Sequence, residues 1–408
     1  MTDKLSAGSE TQLANEAIEF EWSGSKLEPG IAMALSGGGF RAMLFHAGAF
    51  VRLNELGLLE KMERISSVSG GSIAAGYLGL SWSKLGNADV DGVFPNFKAL
   101  IADPLLAFSR RKIDIVDALT GLLPWTSAAE QVAETYEEHL FGDATLQALP
   151  DKPRFVFCAT NLQTGVLWRF SKPYAGDYVV GRLDNPNIAL ARAVAASSAF
   201  PPVLSPLILE MPTNSFANWQ TGPSIPAKDL ASLRSRIVLT DGGVYDNHGI
   251  EPVLKRYRTI FVSDGGAPFA RMAPLETDWI SQLKRIVDVT DNQVRALRRR
   301  DLIARFTEGN KAPTQEAIAG DYPRKGAYWG IDTDPGKLSP AKPVKCDVSV
   351  TRMLARVATR LSDLGEQTSK QLINWGYSIC DRSVRVNYTG TVNTKIDPHL
   401  PYPDASIG

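Results

Sequence analysis

Two glycine-rich turns carry the residues best suited to chemistry, Ser36-Gly37-Gly38-Gly39-Phe40-Arg41 and Ser67-Val68-Ser69-Gly70-Gly71-Ser72. Ser69 has the small residues Ser67 and Gly71 two positions away on either side. Small flanks let a chain turn sharply from strand to helix, so that the hydroxyl projects alone at the helix N-terminus, where the dipole favours a developing negative charge. Ser69 is therefore the candidate nucleophile. Its frame is Ser-x-Ser-x-Gly, and a serine replaces the usual leading glycine only where the backbone avoids a glycine-only conformation. Ser72, between Gly70 and Ala74, is the rival, but using it would run a strand through two glycines, which strands disfavour. The first turn offers the backbone N–H groups of Gly37, Gly38 and Gly39 for close approach to a reacting oxygen, the arrangement of an oxyanion hole. A phosphate-binding loop is the alternative use, but neither a Gly-Lys-Ser/Thr ending nor Gly-x-Gly-x-x-Gly spacing is present.

A serine nucleophile needs a base. Of the four histidines, His46, His139, His248 and His399, only His46 and His248 fall near glycine turns, so a Ser-His-Asp triad has few possible members. An aspartate accepts the proton directly if burial raises its pKa toward neutrality within hydrogen-bond reach of the serine. Asp241 and Asp264 each end a β-branched run and precede two glycines, at strand ends where α/β sheets place their chemistry. No His, Cys or carboxylate cluster shows metal-ligand spacing, and no cofactor is implied.

The elements that must position these groups follow from periodicity. Residues 31–35 and 64–68 read as buried strands, and Leu44, Phe45, Ala47, Phe50, Val51 and Leu53 recur at helical spacing up to Gly57 as a C-cap. Strand, turn, helix, strand, turn, helix predicts an α/β fold with a mostly parallel sheet and helices on both faces. Further strands are predicted at 155–160, 166–170 as its hairpin partner, 237–240 and 259–263, with a small-residue helix at 189–198. Residues 1–28 form a lead-in arm in which Ile18, Phe20 and Trp22 are suited to a short strand. Residues 86–153 are an insert whose apolar cluster, Ile113, Ile115, Val116, Leu119, Leu122, Leu123 and Trp125, suits an acyl channel, a lipid surface or plain packing. Within it, 128–140 reads as a solvent-facing helix. From 271 to 408 the chain reads as mainly helical, with long helices at 280–306 and 350–373. The first carries Arg295, Arg298, Arg299, Arg300 and Arg305 on a face fit for anionic lipid or for solvent.

At 408 residues and 44% hydrophobic, the chain has ample material for a core. Equal totals of basic and acidic residues, 44 each, leave no charge to draw it to nucleic acid. Cys158, Cys346 and Cys380 are too few and too scattered for a disulfide framework and read as reduced thiols of a cytoplasmic protein. The first residues lack a signal peptide's basic start and apolar core. The uncharged run 65–83 is rich in serine and glycine and reads as a buried helix rather than a membrane span.

Ser36 to Arg41, Ser69 with its glycines, Ala159-Thr160-Asn161 with Thr164-Gly165, Ala195-Ala196-Ser197-Ser198-Ala199-Phe200-Pro201 and Asp241-Gly242-Gly243 together resemble, in this order, the blocks of the patatin-like phospholipases. The resemblance covers residues 29–265. It implies a catalytic domain at 29–270, with the C-terminal extension packed on it as in some bacterial members. It also implies a lipid acyl hydrolase acting on fatty-acyl esters of phospholipids through a Ser-Asp dyad without a catalytic histidine; association with the inner face of a membrane is expected from the apolar cluster around Leu122, Leu123 and Trp125 and from Arg295 to Arg300. Carried over by position, Ser69 is the nucleophile, Asp241 the base, and Gly37, Gly38 and Gly39 the oxyanion hole, with Arg41 bracing that loop. A non-lipid esterase or peptidase and a lipid-binding regulatory protein are the other classes. Homo-oligomers and a regulatory ligand or partner are left open.

Overall fold

The computed structural model describes residues 27–111, 113, 128–219, 223–314, 320 and 322–408. The arm with Ile18, Phe20 and Trp22, and the apolar cluster from Ile115 to Trp125, lie outside the described residues.

Strand β1 (Glu28–Leu35) runs into the first glycine turn and α1 (Gly39–Glu55), and β2 (Met62–Ser67) runs into the serine turn and α2 (Gly70–Ser81). β3 (Arg154–Asn161), β4 (Val166–Phe170), β5 (Tyr174–Asp177) and β6 (Gly181–Asp184) follow, then α3 (Leu190–Ser197), β7 (Leu207–Glu210) and β8 (Arg236–Asp241). Next come α4 (Glu251–Leu254), β9 (Tyr257–Asp264), α5 (Trp279–Gly309), β10 (Lys325–Gly330), α6 (Val348–Ala355) and α7 (Glu366–Asn387).

The sheet has ten strands with β10-β9-β1-β2-β3 parallel at its centre, as the βαβα alternation requires. Beyond β3 it turns antiparallel through β4, β5 and β6, and a branch of β8 and β7 also leaves from β3. The period of two sorts side chains by face. Met33 and Leu35 enter the main core, while Ala32 and Ala34 pack with Ile250, Val253, Leu302 and Phe306 of α4 and α5 and the residue preceding α4. Every residue of α1 is buried, because α7 covers the side that the sheet leaves open.

Three expectations change. Residues 128–140 are a helix, Ala128–Tyr136, and a π-turn, Glu137–Phe141, and the helix buries Ala129, Val132, Ala133 and Tyr136 rather than facing solvent throughout. The helix expected at 350–373 is two helices, α6 and α7, separated at 356–365, where Gly365 has φ 82° and its N–H bonds the Asp363 carboxylate. Of the arginines on this face of α5, Arg300 is exposed, and the other four are in ion pairs. Arg295 pairs with Asp264, Arg298 with Glu251, Arg299 with Asp332 and Arg305 with Asp301.

Candidate active site

Sheet register decides what meets at the site. Leu35, Ser67, Phe157 and Ser263 stand in one row at the C-terminal end of the parallel strands. Ser69 lies two residues past Ser67, level with Ala159, which pairs with Asp241. Because β8 runs antiparallel to β3, Asp241 reaches this level from the far side and ends its strand there.

Ser69 has φ 51° and ψ −122° at the N-terminus of α2, an unfavourable conformation for a side chain bearing a Cβ. It is part exposed while Val68 and Gly70 are buried. Ser67 closes β2 and has no positive φ, so serine suffices there. The tight entry depends on glycine at position 70, where a Cβ would sit 2.1 Å from the Gly39 carbonyl oxygen. The two turns therefore touch backbone to backbone. Ser72 is buried with its hydroxyl 3.0 Å from that of Ser67 and 2.8 Å from that of Ser197, away from any free surface.

Asp241 is almost fully buried, and the Ser69 side chain stands close enough to favour its charged form. Burial pushes its pKa up to about 7, against the lowering effect of a 2.7 Å hydrogen bond from the Gly243 N–H and of the nearby Ser69 side chain. One segment holds both groups. The Ser69 N–H donates to the carbonyl of Ser197 at 3.1 Å and to its hydroxyl at 3.0 Å, and the Asp241 N–H donates to the Ala199 carbonyl at 2.9 Å. Its block of small residues at 195–199 is the signal that could have revealed this role.

Asp264 has the same local sequence and a different fate. Burial alone would raise its pKa, but Arg295, His248 at 3.1 Å and the Tyr328 hydroxyl at 2.7 Å hold it well below the ordinary carboxylate value. It is a structural anion at the end of β9. The histidines are similarly committed. His46 is enclosed, with Nδ1 2.8 Å from the Ser263 hydroxyl and Nε2 2.9 Å from the Ser36 carbonyl, and burial pushes its pKa down to about 4. His248 Nε2 faces Asp264. His139 pairs with Glu138, and His399 lies beside Glu55 and Asp397.

The glycine turn lies against the serine: a Cβ on Gly37 would be 3.1 Å from that of Ser69. The Gly37 N–H is spent on the Asn247 carbonyl at 3.1 Å. Among the described residues the N–H groups of Gly38, Gly39 and Gly70 have no partner. Gly38 and Gly39 have φ 143° and 58°, values that favour glycine. Arg41 is fully buried beneath them, donating from Nε to the Gly265 carbonyl at 3.0 Å and from Nη1 to the Val357 carbonyl, while Nη2 has no partner among the described residues. The 356–365 break closes the other side, where Phe40 N–H donates to the Arg360 carbonyl at 3.0 Å. Asn247, Gly70 and Arg360 were missed in the sequence, and nothing local in the sequence marks Arg360.

The family model for patatin-like phospholipases matches residues 33–254, more than half of the chain, and the chain belongs to that family. No curated protein matches by sequence. Among solved structures the fold is similar to human GIVD cytosolic phospholipase A2, with TM-score 0.53 and 14% identity over 94% of this chain and 64% of that one. VipD from Legionella pneumophila aligns at TM-score 0.35 and 14% identity, over 88% of this chain and 66% of that one. The chain thus spans less than two thirds of the phospholipase A2 length.

Proposed function

We propose that this protein is a serine-dependent lipid acyl hydrolase acting on fatty-acyl esters of phospholipids. The observation that carries this reading is the strained, part-exposed Ser69 beside the buried Asp241 carboxylate, whose pKa is pushed up to about 7. A carboxylate of that strength accepts a proton from serine at neutral pH and returns it. Asp241 takes the Ser69 proton as Oγ bonds to the ester carbonyl carbon, and the carbonyl π-electrons move to oxygen. The N–H groups of Gly38, Gly39 and Gly70 are available to that oxyanion, with the Arg41 charge behind them. Collapse breaks the bond to the alcohol, which leaves with the proton from Asp241. Water, deprotonated by Asp241, then releases the fatty acid and restores Ser69.

Delivery to a lipid surface is supported by α5. Trp279, Ile280, Leu283, Ile286 and Val287 recur at helical spacing and are exposed, Trp279 to 74%. No described helix is long and apolar enough to cross a membrane. The test is labelling with a fluorophosphonate, followed by a panel of phospholipid, short-chain ester and peptide substrates. Labelling confined to Ser69 and a preference for phospholipid are expected. Labelling elsewhere sinks the nucleophile, and a preference for peptides or short esters sinks the lipid substrate.

A further inference from the structure

A second concentration of polar chemistry lies at the other end of β2 and β3 from Ser69. A cavity of about 330 Å³ opens there, within the range of small-ligand sites. Arg64, Arg154, Arg169, Arg182, Lys255 and Arg256 line it, with Asp184 as the one carboxylate among the described lining residues. The chain as a whole has 44 basic and 44 acidic residues, so the excess is local.

Arg64 and Arg154 are register partners on adjacent parallel strands, which sets two guanidinium groups side by side on one face. Arg64 is only 6% exposed, its Nη1 donates to the Pro252 carbonyl at 3.0 Å, and its Nε has no partner among the described residues. Arg154 has no hydrogen bond or ion pair among the described residues. The nearby carboxylates are taken by other cations: Asp184 by Arg182 at 2.8 Å, Glu28 by Arg256 at 3.4 Å and Glu251 by Lys255. Burial, with the charges of Arg256 and Arg154, holds the Arg64 pKa below its ordinary value. A buried cation without a counterion, here Arg64 beside the part-buried Arg154, destabilises a fold unless an anion joins it.

We propose that this cavity binds a phosphate-bearing small molecule. A single carboxylate would neutralise one guanidinium and leave its neighbour unpaired. A phosphate or diphosphate group presents several oxygens to both, in the forked geometry arginine favours. The Tyr174 and Trp219 rings, edge to face at 5.4 Å, form an aromatic wall for whatever the phosphate is attached to. The site stands independently of the chemistry at Ser69.

Calorimetry and thermal melting of the full chain at low salt test this, with pyrophosphate and ADP as soluble probes. Dihexanoyl phosphatidic acid below its micelle threshold is the headgroup probe. At least one probe should bind and raise the melting temperature, and competition among them identifies the source of the phosphate. Arg154→Gln should weaken binding at least about tenfold, with Arg154→Lys intermediate. Without ligand, Arg154→Gln should melt no lower than wild type, since it loses repulsion and no partner. Arg256→Gln, at an exposed side chain, should also weaken binding and serves if Arg154→Gln does not fold. Absence of binding by all three probes, or undiminished binding in the variants, overturns the proposal.

Discussion

Two Asp-Gly-Gly turns with the same local sequence reach opposite acid strengths, because Asp264 is surrounded by Arg295, His248 and Tyr328 while Asp241 is buried with no cation beside it. If Asp241 acts as the proposed base it must be ionised, so kcat/KM should rise with pH through about 7 and level off above it. The folded pKa of Asp241 is raised above its unfolded value. Its ionisation therefore destabilises the fold progressively from about pH 4 to about 7, and by a constant amount above that. Asp241→Asn should consequently be nearly inactive yet more stable than wild type at pH 8, by up to about 4 kcal/mol, with little gain at pH 4. Denaturant titrations at the two pH values check this, and a variant that is destabilised at pH 8 would contradict a buried near-neutral carboxylate. Ser69→Ala should lower turnover by about a thousandfold or more with the fold retained. His46→Ala and His248→Ala, where folded, should keep turnover within about tenfold, because neither imidazole bonds Ser69 or Asp241. A folded His248→Ala protein as inactive as the Ser69 variant would require a triad.

Local chemistry was legible at the level of elements wherever it was written in one short stretch. Both glycine turns, the strands around them and the hairpin of β3 and β4 follow from period and turn residues. What the sequence hid is set by contacts between distant segments. The direction of β8 depends on its pairing with β3, and the 356–365 break touches the glycine turn across more than 300 residues of chain. Residues 326–330 belong to β10, and residues 372–377 lie in the stretch of α7 that packs on α1. That contact is a backbone approach: a Cβ on Gly376 would lie 1.9 Å from the Phe45 carbonyl oxygen, and one on Gly48 would lie 1.9 Å from that of Ile373. A buried pair between Arg52 and Asp381 at 2.8 Å fixes the register of the two helices. Gly376→Ala must push them apart, at a cost of about 1–3 kcal/mol. Because α1 begins at the glycine turn, turnover should fall along with stability. Denaturation and kinetics of this variant are the check, and unchanged stability would mean that the helices do not pack this closely.

At the scale of the whole molecule, α5 holds Arg295, Arg298 and Arg299 in ion pairs, leaves Arg300 exposed, and presents part of its apolar side outward. Arg295, Arg298 and Arg299 are held by carboxylates of other segments, so they have little charge to offer a lipid surface. The exposed side chains from Trp279 to Val287, with Met272 and Leu275 just before the helix, make the surface suited to docking. Binding driven by such a face depends on apolar area and not on charge. Partition onto liposomes should therefore change less than about threefold between low and high salt, whereas docking by free arginines would weaken steeply. Trp279→Ser with Ile286→Ser should reduce partition at least tenfold, since each buried apolar side chain contributes about 1.5–3 kcal/mol. Hydrolysis of monomeric short-chain esters should be unaffected, because neither residue is part of the catalytic turns. Co-sedimentation with vesicles at two salt concentrations, alongside the ester assay, separates the cases. Binding that vanishes in high salt assigns docking to charge, and a double variant that pellets like wild type removes α5 from the lipid surface.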